Sequence, residues 1–130
     1  MNPMLDATGK LVLRLTLGLL VLLHGLAKLT GGIGGIEGML SGIGLPAVFA
    51  YGVFLGEVLG PLLLMLGLYA RIGAVLIAIN MVAAILLAHG DELFMLTANG
   101  GWALELQGMF LFTAIALALT GPGRLSLNQR

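Results

Sequence analysis

The residues able to do chemistry are few, and most lie inside apolar runs. His24 and Lys28 interrupt the first run, Glu57 the second, Asn80 the third, and Glu105 and Gln107 the last. His24 and Lys28 are four apart, so on a helix they share a face. A histidine and carboxylates held in an apolar setting can take up and release protons. A lysine beside them can stabilise a developing anion, and side-chain amides can hold a ligand by hydrogen bonds. His24, Glu57 and Glu105 are therefore the candidate catalytic residues, and Lys28, Asn80 and Gln107 the candidate ligand contacts. A plainer role competes at each of them. Buried polar groups can fix helix packing without chemistry, Asn80 suits an interhelical hydrogen bond, and Lys28 can snorkel to headgroups.

Other chemistries find less support. Cysteine is absent, which removes disulfides and thiolate chemistry. No Glu-x-x-His or His-x-x-x-His pair occurs, and a lysine in the cluster disfavours a cation, so no metal centre is expected. The seven methionines are scattered, and formal charge is zero with no basic stripe, so nucleic acid is not an expected partner. Arg14 is expected to snorkel or pair near one membrane face, Arg71 to mark a turn, and His89 to lie at a span end with no role.

The elements that must position these residues follow from composition. The chain has 130 residues, 59% apolar and only 9% charged, where a soluble domain carries about 25% charged residues. So short a chain cannot hide that much apolar surface in a water-soluble core. Lipid is the implied solvent, and the fold class is all-α: an integral membrane four-helix bundle read as one domain over residues 1–130. A span needs about 20 mostly apolar residues, and four stretches qualify: residues 11–29, 46–69, 72–88 and 102–120. The first is too long, and lacks the cleavage site, to be a secretory leader. A short interfacial helix is expected at about 36–43, inside a glycine-rich connection. Lys10, Arg14, Arg71, Arg124 and Arg130 fall on one side of this plan, which the positive-inside rule makes cytoplasmic. Both termini are then cytoplasmic, in the inner membrane of a bacterium.

Helical rise adds depth. Counted from the cytoplasmic ends, His24 lies at about 21 Å, Glu57 about 18 Å, Glu105 about 22 Å and Gln107 about 20 Å, with Lys28 and His89 near about 27 Å. Three helices thus place a histidine and two carboxylates in one layer. Each ionisable group costs roughly 2.5–3.5 kcal/mol at a span centre, so all three are expected to point inward and converge. Pro61 follows Glu57 by four and has no N–H, so the second helix should break there and leave a cavity beside the carboxylate. Gly52, Gly56 and Gly60, with Ala84, Ala88, Ala114 and Ala118, supply small-residue stripes for packing.

Arg14-Leu15-Thr16-Leu17-Gly18 leading to His24-Gly25-Leu26-Ala27-Lys28-Leu29 resembles the opening of DoxX-like membrane proteins. Glu57 with Gly60, Gly67-Leu68-Tyr69-Ala70-Arg71, Glu105 and the ending Gly121-Pro122-Gly123-Arg124-Leu125-Ser126-Leu127-Asn128 are similar as well. Asn128 departs from the aspartate common in that family, which puts a required charge there in doubt. The resemblance implies a four-helix inner-membrane protein with a redox-linked role. Some relatives are quinone-linked, and one is associated with oxidative-stress enzymes. It therefore implies a quinone as ligand, bound non-covalently, and a soluble redox or oxidative-stress enzyme as partner. With no cysteine, flavin motif or metal motif, this chain would depend on that partner for electrons. Two other readings fit the same residues: a permease for a small solute or protons, working as a homodimer, and a membrane anchor for soluble enzymes.

Overall fold

A chain dominated by apolar residues in lipid must satisfy its backbone polar groups internally, which favours helix throughout. The computed structural model describes residues 2–130, and its regular structure is helical. Five α-helices follow in order: α1 (Pro3–Gly31), α2 (Gly34–Gly42), α3 (Gly60–Leu66), α4 (Ala70–Ala88) and α5 (Glu105–Thr120). Between α2 and α3 the chain forms a 3-10 turn, Ala47–Gly52, and a π turn, Leu55–Leu59. The α1 helix, the interrupted helix Ala47–Leu66 and α4 are long and apolar enough to cross a membrane, while α5 is a shorter apolar helix.

Local sequence explains the ends and the break. Asn2 caps α1, its side-chain oxygen accepting from the Met4 and Leu5 N–H groups, and Pro3 takes the first helical position. The interruption falls where Pro61 has no N–H to offer the Glu57 carbonyl. The chain widens there, so that the Gly60 N–H bonds back to the Leu55 carbonyl. The expected break is thus a π turn, and it carries Glu57.

Close backbone approach then closes the bundle. On α1, Ala7, Arg14, Leu17, Gly18, Val21 and Gly25 are buried, a stripe at helical spacing. A Cβ at Gly18 would strike Met65, and one at Gly25 would strike the Glu57 carbonyl. Gly56 sits against Asn80 and Leu76 of α4, and Gly60 against the Gly73 carbonyl. Gly52, read as part of the same stripe, lies in the 3-10 turn with open space beside it. Leu17, Val21, Leu64, Ile77, Phe110 and Leu117 fill the middle of the bundle.

The end of the bundle near Arg71 is held by a buried cation. Arg14 is 1% exposed and has neither snorkelled nor found a carboxylate. Its Nε donates to the Leu64 carbonyl (2.9 Å) and its Nη2 to that of Met65 (3.2 Å). Its Nη1 donates to the carbonyls of Pro122 (3.0 Å) and Leu125 (2.7 Å). Leu64 and Met65 lie in the last turn of α3, where carbonyls lose their helical partners and the dipole is negative; the Leu64 carbonyl also accepts from the Gly67 N–H (3.2 Å). One guanidinium therefore ties α1, α3 and the C-terminal segment together. That segment runs on beside the α3–α4 turn: the Asn128 side-chain oxygen accepts from the Tyr69 N–H (2.9 Å), and the Asn128 N–H donates to the Gly67 carbonyl (3.0 Å). An amide oxygen is enough for that bond, so the missing aspartate leaves the turn intact.

Replacing Arg14 by leucine leaves the carbonyls of Met65 and Pro122 without a donor, at about 1–3 kcal/mol for each unsatisfied buried group, while the Leu64 carbonyl keeps only the Gly67 N–H. Thermal unfolding in detergent should show Arg14→Leu destabilised by about 3 kcal/mol or more. A change at exposed Leu13, such as Leu13→Val, should stay within about 0.5 kcal/mol. Equal melting of the two variants would contradict the role of Arg14.

Candidate functional site

Glu57 is the centre of the polar residues at the other end of the bundle. It is 3% exposed, on the inner side of the π turn. Both carboxylate oxygens are occupied. Lys28 Nζ donates to Oε1 at 2.5 Å, and Asn80 Nδ2 donates to Oε2 at 2.7 Å. The sequence places both donors. Lys28 lies in the last turn of α1, one turn beyond Gly25, whose bare Cα abuts the Glu57 backbone. Asn80 reaches across because Gly56 lets α4 approach the π turn closely. A buried carboxylate is thus paired with a cation and a neutral donor, as burial of a charge requires.

Two cavities meet at this group. The larger, about 550 Å³, has Lys28, Glu57, Asn80 and His89 among mostly apolar walls from α2, the segment 49–56 and α4. Ile36, Met39 and Leu40 of α2 cover one side of it, and Phe49, Ile79 and Leu87 lie around it. The smaller, about 190 Å³, is bounded by His24, Gln107, Lys28, Glu57 and His89 with Val21, Met81 and Phe110. Lys28, Glu57, Ala84 and His89 line both. The ion pair is therefore a partition between an apolar chamber and a polar one.

The six residues expected at the site divide accordingly. Lys28, Glu57 and Asn80 are bonded to one another. Gln107 faces the smaller cavity, and His24 lies at its open side, with the His24 ring edge-on to Phe110 at 6.0 Å between centroids; His24 was expected to point inward but is exposed. Glu105 does not join them. It is exposed, lines neither cavity, and its carboxylate lies over Gly101. Helical rise places it at the right height, but α5 begins at Glu105, so its side chain turns back over the preceding turn. A carboxylate in a first helical turn suits the dipole there without further partners.

His89 is the residue that sequence reasoning left out. It caps the C-terminal end of α4, lines both cavities, and has Nδ1 3.4 Å from Glu92 Oε1. Asn80, Ala84 and Ala88 follow one face of α4 and line the larger cavity, but His89 lies past the last helical residue and off that spacing, so the stripe did not point to it. Among the described residues no group of three or more histidines and carboxylates is arranged to hold a metal ion.

Comparison with known proteins gives the site a context. A model of the DoxX family matches residues 9–90, which carry His24, Lys28, Glu57, Asn80 and His89. A Bacillus subtilis protein named "Putative oxidoreductase CatD" is 37% identical over 120 residues, covering 92% of this chain and 84% of the relative. A Haemophilus influenzae protein named "Uncharacterized protein" is 30% identical over 128 residues, covering 91% of this chain and 87% of that one. No solved structure matches.

If Lys28 and Glu57 act as one unit, their substitutions will not add. Lys28→Met strands a buried carboxylate and Glu57→Gln strands a cation, whereas the double variant strands neither. A double-mutant cycle on unfolding in detergent should return a coupling of about 1–3 kcal/mol. Simple additivity would show that the pair is incidental.

Proposed function

The chain belongs to the DoxX family, and on that footing we propose a four-span protein of the bacterial inner membrane that binds a quinone, or a similar lipid-soluble ligand, in the larger cavity. Both termini are cytoplasmic in this reading. Lys10, Arg71 and Arg130 support it, since they gather at the Arg14 end: Lys10 packs on Gly123, Arg71 on Gly121, and Arg130 lies over the Tyr69 ring at 5.9 Å. Glu37, Asp91 and Glu92 belong to the segments at the opposite end. The fourth span is α5, whose 16 residues give about 24 Å of rise, lengthened by the turn at Trp102.

The observation that carries the ligand reading is the form of the larger cavity. Its 550 Å³ falls within the range of about 300–1,000 Å³ that small-molecule sites occupy. Apolar walls suit an isoprenoid tail and a ring face, and the polar groups gather at Glu57. There Lys28 Nζ and Asn80 Nδ2 are donors within reach of a ligand carbonyl, and Glu57 holds a proton-accepting oxygen against each of them. A quinone bound there would supply two-electron, two-proton chemistry. The residues' part is to bind its carbonyl, exclude water from it and hold a proton at Glu57, with His24 on the far side of the partition. Electrons come from a partner oxidoreductase or oxidative-stress enzyme; the name borne by the Bacillus relative is consistent with such a redox setting.

The permease reading is less favoured by the packing. Between the cavities and the Arg14 end the bundle is filled by Leu17, Leu64, Ile77 and Leu117. A solute path would have to run between two copies of the chain.

The cavity can be blocked without touching its polar end. Ala83 lines the larger cavity and Leu86, on the same helix, is 72% exposed away from it. Ala83→Phe should weaken binding of a short-chain quinone by about tenfold or more, or about 1.4 kcal/mol, while Leu86→Phe leaves it unchanged. Titration of the purified protein in lipid nanodiscs measures both. Equal affinity in the two variants would place any quinone elsewhere.

A further inference from the structure

The smaller cavity has no place in ligand binding as just described, yet it holds most of the remaining polar side chains. Its 190 Å³ has room for about six waters at about 30 Å³ each. Neither His24 nor Gln107 has a side-chain hydrogen-bond partner among the described residues, so both are available to water. Gln107 is half-buried, while His24 is exposed where the cavity opens sideways beside Leu106. Its floor is sealed. Val21, Met81 and Phe110 line it and belong to the packed core, and beneath them lie Leu17, Ile77 and Leu117 and then the Arg14 cluster. Its opposite end is His89, in contact with Glu92, whose side chain is 38% exposed. One wall is the Lys28–Glu57 pair.

We propose that this cavity is a hydrated proton-exchange chamber, closed toward the Arg14 end and reached from the His89–Glu92 end, through which Glu57 equilibrates with the aqueous phase on that side of the membrane. The charged and titratable groups facing it are His24 and Lys28 from α1, Glu57 from the π turn, and His89 from the end of α4 with Glu92 beside it; α5 contributes the neutral amide of Gln107. Waters bridging His89, Gln107 and His24 supply the hydrogen bonds that the protein leaves unmade. A proton leaving Glu92 or His89 can pass along that chain to the Lys28–Glu57 pair, and another can return by the same route. No counterpart leads toward the Arg14 end. The inference rests on the ligand reading for the purpose of the chamber, while its polar lining and its closure toward the Arg14 end stand on geometry.

The absence of cysteine makes a direct test practical. Single cysteines are introduced as His24→Cys and Gln107→Cys in the chamber, Leu117→Cys in the core, Asp91→Cys as marker for the His89 end, and Arg124→Cys as marker for the other. A membrane-impermeant charged thiosulfonate is then applied to intact spheroplasts and to inverted vesicles. The His24→Cys and Gln107→Cys proteins should react from the side that modifies Asp91→Cys, and not from the side that modifies Arg124→Cys. Their rates should exceed that of Leu117→Cys by about tenfold or more, since only a solvated thiol forms thiolate readily. Ala84→Cys, at the cavity wall and half-buried, gives the same readout if either polar variant accumulates poorly. Reaction from the Arg124 side, or at the core rate from both sides, would overturn the proposal. Quinone titration of the unmodified protein reads the ligand site separately, so each reading can fail alone.

Discussion

A carboxylate buried among apolar helices is the constraint on which the cavity-bearing half of this structure depends. An isolated charge in hydrocarbon costs several kcal/mol, and Glu57 is nearly inaccessible. The molecule meets that cost with two donors from two other helices. Reaching them requires close approach, which is where Gly25 and Gly56 lie: a side chain at either would push α1 or α4 away from the π turn. The turn itself follows from Pro61, which withholds the N–H that a regular α-helix would need. Carboxylate, glycines and proline therefore form one device, and the cavities are the space it leaves.

The opposite end solves a related problem with the sign reversed. Arg14 is as deeply buried as Glu57, but its partners are neutral carbonyls at a helix terminus and in the C-terminal segment. Such contacts use all three guanidinium nitrogens and satisfy carbonyls that would otherwise lack partners. The bundle thus has a sealed end and a cavity-bearing end. The difference suits a site that takes its ligand from lipid and meets water on one side.

Much of this arrangement was legible in the sequence, for physical reasons. Composition required lipid, and lipid required helices. Pro61 located the break, and helical rise put His24, Glu57 and Gln107 in one layer; Lys28, estimated higher, was tied to them only by sharing a helix face with His24. Rotation and helix starts were not legible. Glu105 has the correct height yet points away, because the helix begins at that residue rather than at Trp102. His89 was passed over because a residue at a helix end has no periodicity to mark which way it faces. Arg14 was expected to snorkel or pair near a membrane face because its partners are backbone carbonyls, which no side-chain pattern records. The resemblance to DoxX-like proteins, carried by the first and last motifs, agrees with the family match over residues 9–90.

The central claim is that the apolar cavity ending at Lys28, Glu57 and Asn80 receives a lipid-soluble ligand by its polar head. Photolabelling with an azido-quinone in native membranes, followed by mass spectrometry of the digested protein, tests it most directly. Label is expected on cavity residues such as Leu76, Ile79 and Leu87, competed away by excess unlabelled quinone. Label spread over outward-facing residues such as Ile72, Leu86 and Leu119, with no competition, would contradict it.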